Sequence, residues 1–203
     1  MRLADLFHVN QEPIEQEEPE HPRTFGEALG QAFDILCRGD QTVAQNIADC
    51  LADTKGYCAG REQALDARGL VYREEAEPWL QFIAAVSAAE QAGYLCEIDR
   101  RADEDTFRKA LEKILKAAGI VFSLRNLPFE RINNIPGRIA QFNEYAGQSG
   151  ITIYCLDTES GCFVLGAARI ADYAEAAQIA AEAGIRITSR PMADAALGSV
   201  RND

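Results

Sequence analysis

With 203 residues, 47% of them hydrophobic, the chain is long enough to bury a sizeable core and lies far from the disordered class. Its net charge of −12 argues against bulk phosphate binding, which uses clustered Lys and Arg, so no nucleic-acid partner is expected. No stretch reaches the ~20 apolar residues of a membrane span, and no apolar run follows Arg2 as in a signal peptide, so no membrane association and a cytoplasmic location are expected. The six cysteines, at 37, 50, 58, 96, 155 and 162, form no C-x-x-C pair and read as reduced core thiols.

In chain order, residues 1–23 mix Glu12, Glu15, Glu17, Glu18 and Glu20 with Pro13, Pro19 and Pro22, the composition of an acidic flexible tail. Thr24 and Glu27 have the spacing of a capping box, ahead of Phe25, Leu29, Phe33 and Leu36 at helical intervals. Gly39 is placed to end that helix. Asp40 can cap a second one, with Val43, Ile47, Cys50 and Leu51 on its apolar stripe and Gly56 closing it. Residues 24–73 therefore read as a helical hairpin and its connector.

An α+β domain is expected over 74–188. Pro78 suits the first turn of a helix carrying Trp79, Phe82, Ile83 and Val86, which Gly93 ends. A strand follows over Tyr94–Ile98. Phe107, Ala110, Leu111, Ile114 and Leu115 make the most regular helical stripe in the chain, stopped by Gly119. Ile120–Leu124 suggests another strand, 127–134 a loop, and Pro136 the start of a helix with Ile139 and Phe142.

The clearest element is a β-hairpin over 151–166. Two apolar, β-branched and aromatic runs flank the polar break Asp157-Thr158-Glu159-Ser160-Gly161. A four-residue loop pairs Cys155 with Cys162 and Tyr154 with Phe163. Ile153, Cys155, Cys162 and Val164 then share one face, and Tyr154, Leu156, Phe163 and Leu165 the other. The two cysteines become cross-strand neighbours, either small buried hydrophobes or a disulfide under oxidising conditions. An Ala-rich helix over 171–183, a short strand at 185–187 and a tail over 189–203 complete the chain.

The fold class is α+β with a small mixed or antiparallel sheet. Taking 120–147 as an elaboration, the order becomes βαββαβ, the ferredoxin-like split pattern with helices on one face. The helical hairpin, or a second subunit, would cover the other face.

His8 and His21 are the only histidines and both fall in the expected tail, which argues against a His-based triad or a His-ligated metal in the core. There is no Walker loop, no G-x-G-x-x-G and no G-x-S-x-G, and no cofactor is expected. The candidate binding residues are acidic. Glu97 sits in an apolar strand, Asp99 follows on the same face, Asp157 ends the first hairpin strand and Glu159 lies in its turn. Glu97, Asp99 and Asp157 converging would suit a divalent cation or a basic partner. The plainer reading makes Glu97 an edge-strand guard and the two aspartates turn or cap residues.

Gly93-Tyr94-Leu95-Cys96-Glu97-Ile98-Asp99, Leu127-Pro128-Phe129-Glu130 and Leu156-Asp157-Thr158-Glu159-Ser160 resemble segments of an uncharacterised bacterial family of domains of unknown function. The resemblance covers about Trp79 to Ile187. It implies no activity, only that Glu97, Asp99 and Asp157 are the first residues to test. The reading preferred is an acidic protein-binding module, immunity- or inhibitor-like or an adaptor, engaging a basic protein. A carboxylate-dependent divalent-metal hydrolase using those three acids is the alternative. A structural homodimer built on the Tyr154 and Phe163 face is the third, and the chain is taken as a monomer or a homodimer.

Overall fold

The structure, a computed structural model, describes residues 22–66, 75–125, 127, 129, 132–158 and 160–190. The expected acidic tail up to residue 21 with both histidines, the connector 67–74 and the segment beyond 190 lie outside the described residues.

The chain opens with α1 (Phe25–Leu36), α2 (Gln41–Ala52), α3 (Thr54–Ala59), α4 (Glu62–Asp66) and α5 (Glu77–Gln91). Thr24 caps α1 in a complete capping box: its side chain accepts from the Glu27 N–H, while the Glu27 carboxylate accepts from the Thr24 N–H. Asp40 caps α2, as the sequence suggests. Gly56 does not close α2. The break comes at Asp53, whose side chain caps α3 by accepting from the Gly56 N–H at 2.9 Å, so Gly56 lies inside a new helix. An Asx side chain outcompetes the glycine because it offers the backbone a hydrogen bond where the helix would continue.

The second half runs β1 (Leu95–Asp99), α6 (Glu104–Ala117), α7 (Ile135–Gly147), β2 (Ile151–Leu156), β3 (Cys162–Arg169), α8 (Ile170–Glu182) and β4 (Ile187–Thr188). The fold is α+β, and its four strands form one antiparallel sheet in the order β1-β3-β2-β4. Ile120–Leu124 is not a strand of that sheet. Among the described residues, no helix is long and apolar enough to cross a membrane.

The hairpin register differs from the expected one. Cys155 faces Leu165 and Leu156 faces Val164, so the connection is longer than four residues. The offset of three moves every β3 side chain to the opposite face relative to β2, because side chains alternate. Cys155 and Cys162 therefore lie on opposite faces and are no disulfide pair. Tyr154 and Phe163 are separated in the same way, and no single face carries both.

Both faces are covered. On one, Ile153, Cys155, Leu165 and Ala167 pack with α6 and α7. On the other, Tyr154, Leu156, Val164 and Ala168 pack with α1, α5 and α8. Strand order explains this. β1 and β2 run parallel around β3, and β3 and β4 run parallel around β2, the two pairs pointing opposite ways. Both crossovers move across the sheet in the same direction. Right-handed connections on oppositely directed strands then put their helices on opposite faces. Helices on one face would require β4 to return beside β1, whereas it lies outside β2.

Tyr154 is the largest wholly buried side chain, and its ring stacks on Tyr173 with centroids 6.0 Å apart. Its cross-strand partner is Gly166, where any Cβ would run into the Tyr154 ring. The glycine makes the room that the ring fills. Among the described residues the Tyr154 hydroxyl has no hydrogen-bond partner, and burial holds its pKa well above the ordinary value. An unpaired buried hydroxyl is destabilising. Tyr154→Phe is therefore expected to raise unfolding stability by about 1 kcal/mol in chemical denaturation. A loss of stability would show instead that the hydroxyl is hydrogen-bonded in solution.

Candidate functional site

Because the hairpin is covered on both faces, chemistry-bearing side chains of the sheet reach solvent at its edges. β1 is an edge strand, and Glu97 and Asp99 are exposed on it. They lie on the face that also carries Cys162, which is paired with Asp99 across the ladder. Asp99 accepts from the Arg101 N–H at 2.6 Å, the contact of a turn residue. Partial burial and the neighbouring carboxylates of Glu97 and Asp99 push the Cys162 thiol above its ordinary value. A thiol among carboxylates is poorly ionised and is a weak nucleophile. Cys155, sealed in the core, is pushed up to about 12 by burial.

Asp157 is not brought to this pair. β3 separates its strand from β1, two strand spacings or about 10 Å away. Asp157 instead faces Arg186 at 3.5 Å, and its N–H donates to the Arg186 carbonyl. Ligands of a shared cation must each lie within about 2.0–2.6 Å of it. Among the described residues, no three His, Cys, Asp or Glu side chains are grouped to hold a metal. Glu159 lies outside the described residues. Tyr154 is interior, and the face expected to build a homodimer is filled by α1, α5 and α8.

The rim holds a second feature, where the sequence suggests only a strand. From Ile120 to Leu124 burial alternates: Ile120 and Leu124 are buried, Phe122 half-buried, Val121 and Ser123 exposed. A period of two marks extended backbone. Phe122 points inward onto Phe142 of α7, ring centroids 5.2 Å apart. Among the described residues, no backbone N–H or C=O of Val121, Phe122 or Ser123 has a hydrogen-bond partner. Val121 is 98% exposed, an unusual position for an aliphatic side chain on an ordered rim. The segment is a strap laid over the α6–α7 layer.

Two arginines hold the strap and the connection after it. Arg108 on α6 donates through Nη1 to the Leu124 carbonyl and through Nη2 to the Leu127 carbonyl, both at 2.6 Å. Its Nε pairs with Glu104 at 2.6 Å, and the guanidinium lies 4.9 Å over the Phe129 ring. Arg138 on α7, almost fully buried, donates to the carbonyls of Ile132 and Ala102 at 2.9 and 2.8 Å. A shallow groove runs between the strap and the exposed flank of α6, where Arg108, Glu112 and Lys116 stand one turn apart and Arg125 closes the far end. The i, i+4 spacing of Glu104 and Arg108 was the sequence signal for one contact; the carbonyl contacts left none.

The model of one protein family, described as a domain of unknown function (DUF6630), matches residues 28–191. The match takes in most of α1 and all of α2 to α4 as well as the region of the sequence resemblance. No curated protein and no solved structure matches the chain.

Arg108→Lys keeps the charge but loses the planar fork that reaches two carbonyls at once. It is expected to cost about 2 kcal/mol in chemical denaturation. Hydrogen exchange should accelerate around Leu127 and Phe129 more than in the sheet. Unchanged stability and protection would show that the guanidinium does not anchor the strap.

Proposed function

The chain belongs to the DUF6630 family of domains of unknown function, and on that premise we propose that it is a protein-binding module whose docking element is the strap 120–124. The carrying observation is Val121, 98% exposed on a strap whose outward backbone groups are unpaired among the described residues. An extended segment held from beneath by packing and by Arg108 is already arranged for strand addition. A partner strand gains main-chain hydrogen bonds there, and side-chain contacts supply the selectivity. The strap pays little ordering cost because its inward side chains are already fixed. This suits an adaptor or an inhibitor-like protein rather than a catalyst.

The test is to pan a random displayed-peptide library against the full chain and to counter-screen with Val121→Asp. Val121 is exposed, so this substitution leaves the core intact. Enriched peptides are expected to show strand-like alternation and to bind the variant roughly tenfold more weakly. Failure to enrich any peptide, or equal binding to both forms, rejects the strap as the docking element.

A second reading rests on the exposure of Glu97 and Asp99 along β1, the open edge of the sheet. A basic partner would add to that edge and meet both acids, with Asp157 recruited only by giving up Arg186 and Glu159 belonging to the same proposal. Glu97→Gln with Asp99→Asn is expected to weaken salt-sensitive binding of Lys- and Arg-bearing peptides, read by fluorescence anisotropy. Binding that survives both substitutions unchanged removes this reading.

A further inference from the structure

We infer that the strap groove takes an extended peptide carrying carboxylates on either side of an apolar residue. The inference rests on the strap being a docking element and goes further by assigning the chemistry of the partner. The groove is basic in a chain of net charge −12: Arg108, Lys116 and Arg125 line it, against one acid, Glu112. Arg108 is committed to Glu104 and to the carbonyls of Leu124 and Leu127, so it contributes field more than contacts. Glu112 stands between Arg108 and Lys116 on the helix, one turn from each, which offsets its repulsion. Lys116 and Arg125 are exposed, and among the described residues neither makes an ion pair or hydrogen bond.

Position gives the pattern. Lys116 lies just before the strap and Arg125 just after it. Ile120 to Leu124 is four extended steps, about 13 Å at ~3.3 Å per residue. A partner strand of five residues whose third residue faces Val121 places its end residues opposite Gly119, beside Lys116, and opposite Ser123, diagonal to Arg125 and within reach of its long side chain. Its first, third and fifth side chains share the outward face with Val121 and Ser123, because directly opposite and alternate residues lie on one face, so the third covers Val121. The matching core is acid-x-aliphatic-x-acid. Strand pairing aligns the backbone, the aliphatic side chain removes Val121 from water, and the two carboxylates set the orientation and reject basic sequences.

The probe is a fluorescein-labelled nine-residue peptide with the core Glu-Thr-Val-Thr-Glu. Its counterpart carries Lys-Thr-Val-Thr-Lys, and a third version is N-methylated at alternate backbone nitrogens. Each is titrated by anisotropy against the full wild-type chain, Val121→Asp, and Lys116→Glu with Arg125→Glu, at low and high salt. Light scattering reads the oligomeric state in parallel. The acidic peptide is expected to bind wild type, to weaken about tenfold with the double charge reversal, and to weaken with salt. N-methylation should also weaken it. Preference for the lysine peptide, with binding still lost in Val121→Asp, overturns the acidic assignment and leaves the strap as a docking element. Equal binding of the acidic peptide to wild type and Val121→Asp, or no binding of any probe, overturns the inference. A wild-type dimer that Val121→Asp makes monomeric gives the groove to a second copy of the chain and overturns it as well.

Discussion

The hairpin of β2 and β3 has no solvent face, and the rest of the structure follows from that. Every residue of β2 is buried, as is β3 from Val164 to Ala168. Such a pair is stable only with apolar layers on both sides. The order β1-β3-β2-β4 supplies them, because its two crossovers start from oppositely directed strands and deposit α6 and α7 on one face and α8 on the other. α8 alone does not fill its side, so α1 and α5 complete the layer around Tyr154. The two faces of the hairpin are thereby closed to ligands.

At the rim, side chains do work that strands and helices do elsewhere. β4 pairs only with Cys155 and Leu156, which leaves the outer edge of Ile153 without a strand partner. The Asn143 carboxamide takes that place: Oδ1 accepts from the Ile153 N–H at 2.7 Å, and Nδ2 donates to the Ile153 carbonyl at 2.9 Å and to Ser189 at 3.0 Å. An amide side chain reproduces both halves of a peptide group, so the buried strand stays satisfied. Arg108 and Arg138 do the same for a connection that forms no ladder. Arg38 donates to the Ala118 carbonyl and closes the C-terminal end of α6, where a cation also meets the negative end of the helix dipole. These contacts hold the strap from within and leave its outward groups to solvent.

The elements legible in the sequence were those written in local chemistry. Thr24 with Glu27, Asp40, Pro78 and the glycines after the helices act on the residues next to them, and the helices start and stop accordingly. The hairpin's existence was equally legible, but its register was not. A polar loop of four residues and the longer one observed fit the same composition, and an offset of three reverses every face assignment in β3. The strand order escaped for a related reason. Nothing local to Ile187 says whether it pairs beside β1 or beside β2. Among the site candidates, the i, i+2 spacing of Glu97 and Asp99 kept them together because a strand preserves it. Asp157 was lost from the group because its position depended on which strands are neighbours. Val121 looked like an ordinary strand residue. Only the absence of a partner strand among the described residues makes it unusual.

An exposed aliphatic residue on extended backbone that is unpaired among the described residues invites self-association, and its surroundings bear on that. Charges beside an open strand edge are a common guard, since a second copy brings the same charges into contact. Lys116 and Arg125 stand on either side of Val121 in this way. The same arrangement is selective, because a guard that repels an identical basic edge attracts an acidic one. The overall charge of −12 does not oppose this at contact. At physiological ionic strength screening confines a charge's reach to roughly 8 Å. A peptide in the groove therefore responds to the two cations beside it far more than to acids across the molecule. Long-range repulsion slows the approach of an acidic partner, and the local field decides whether it stays.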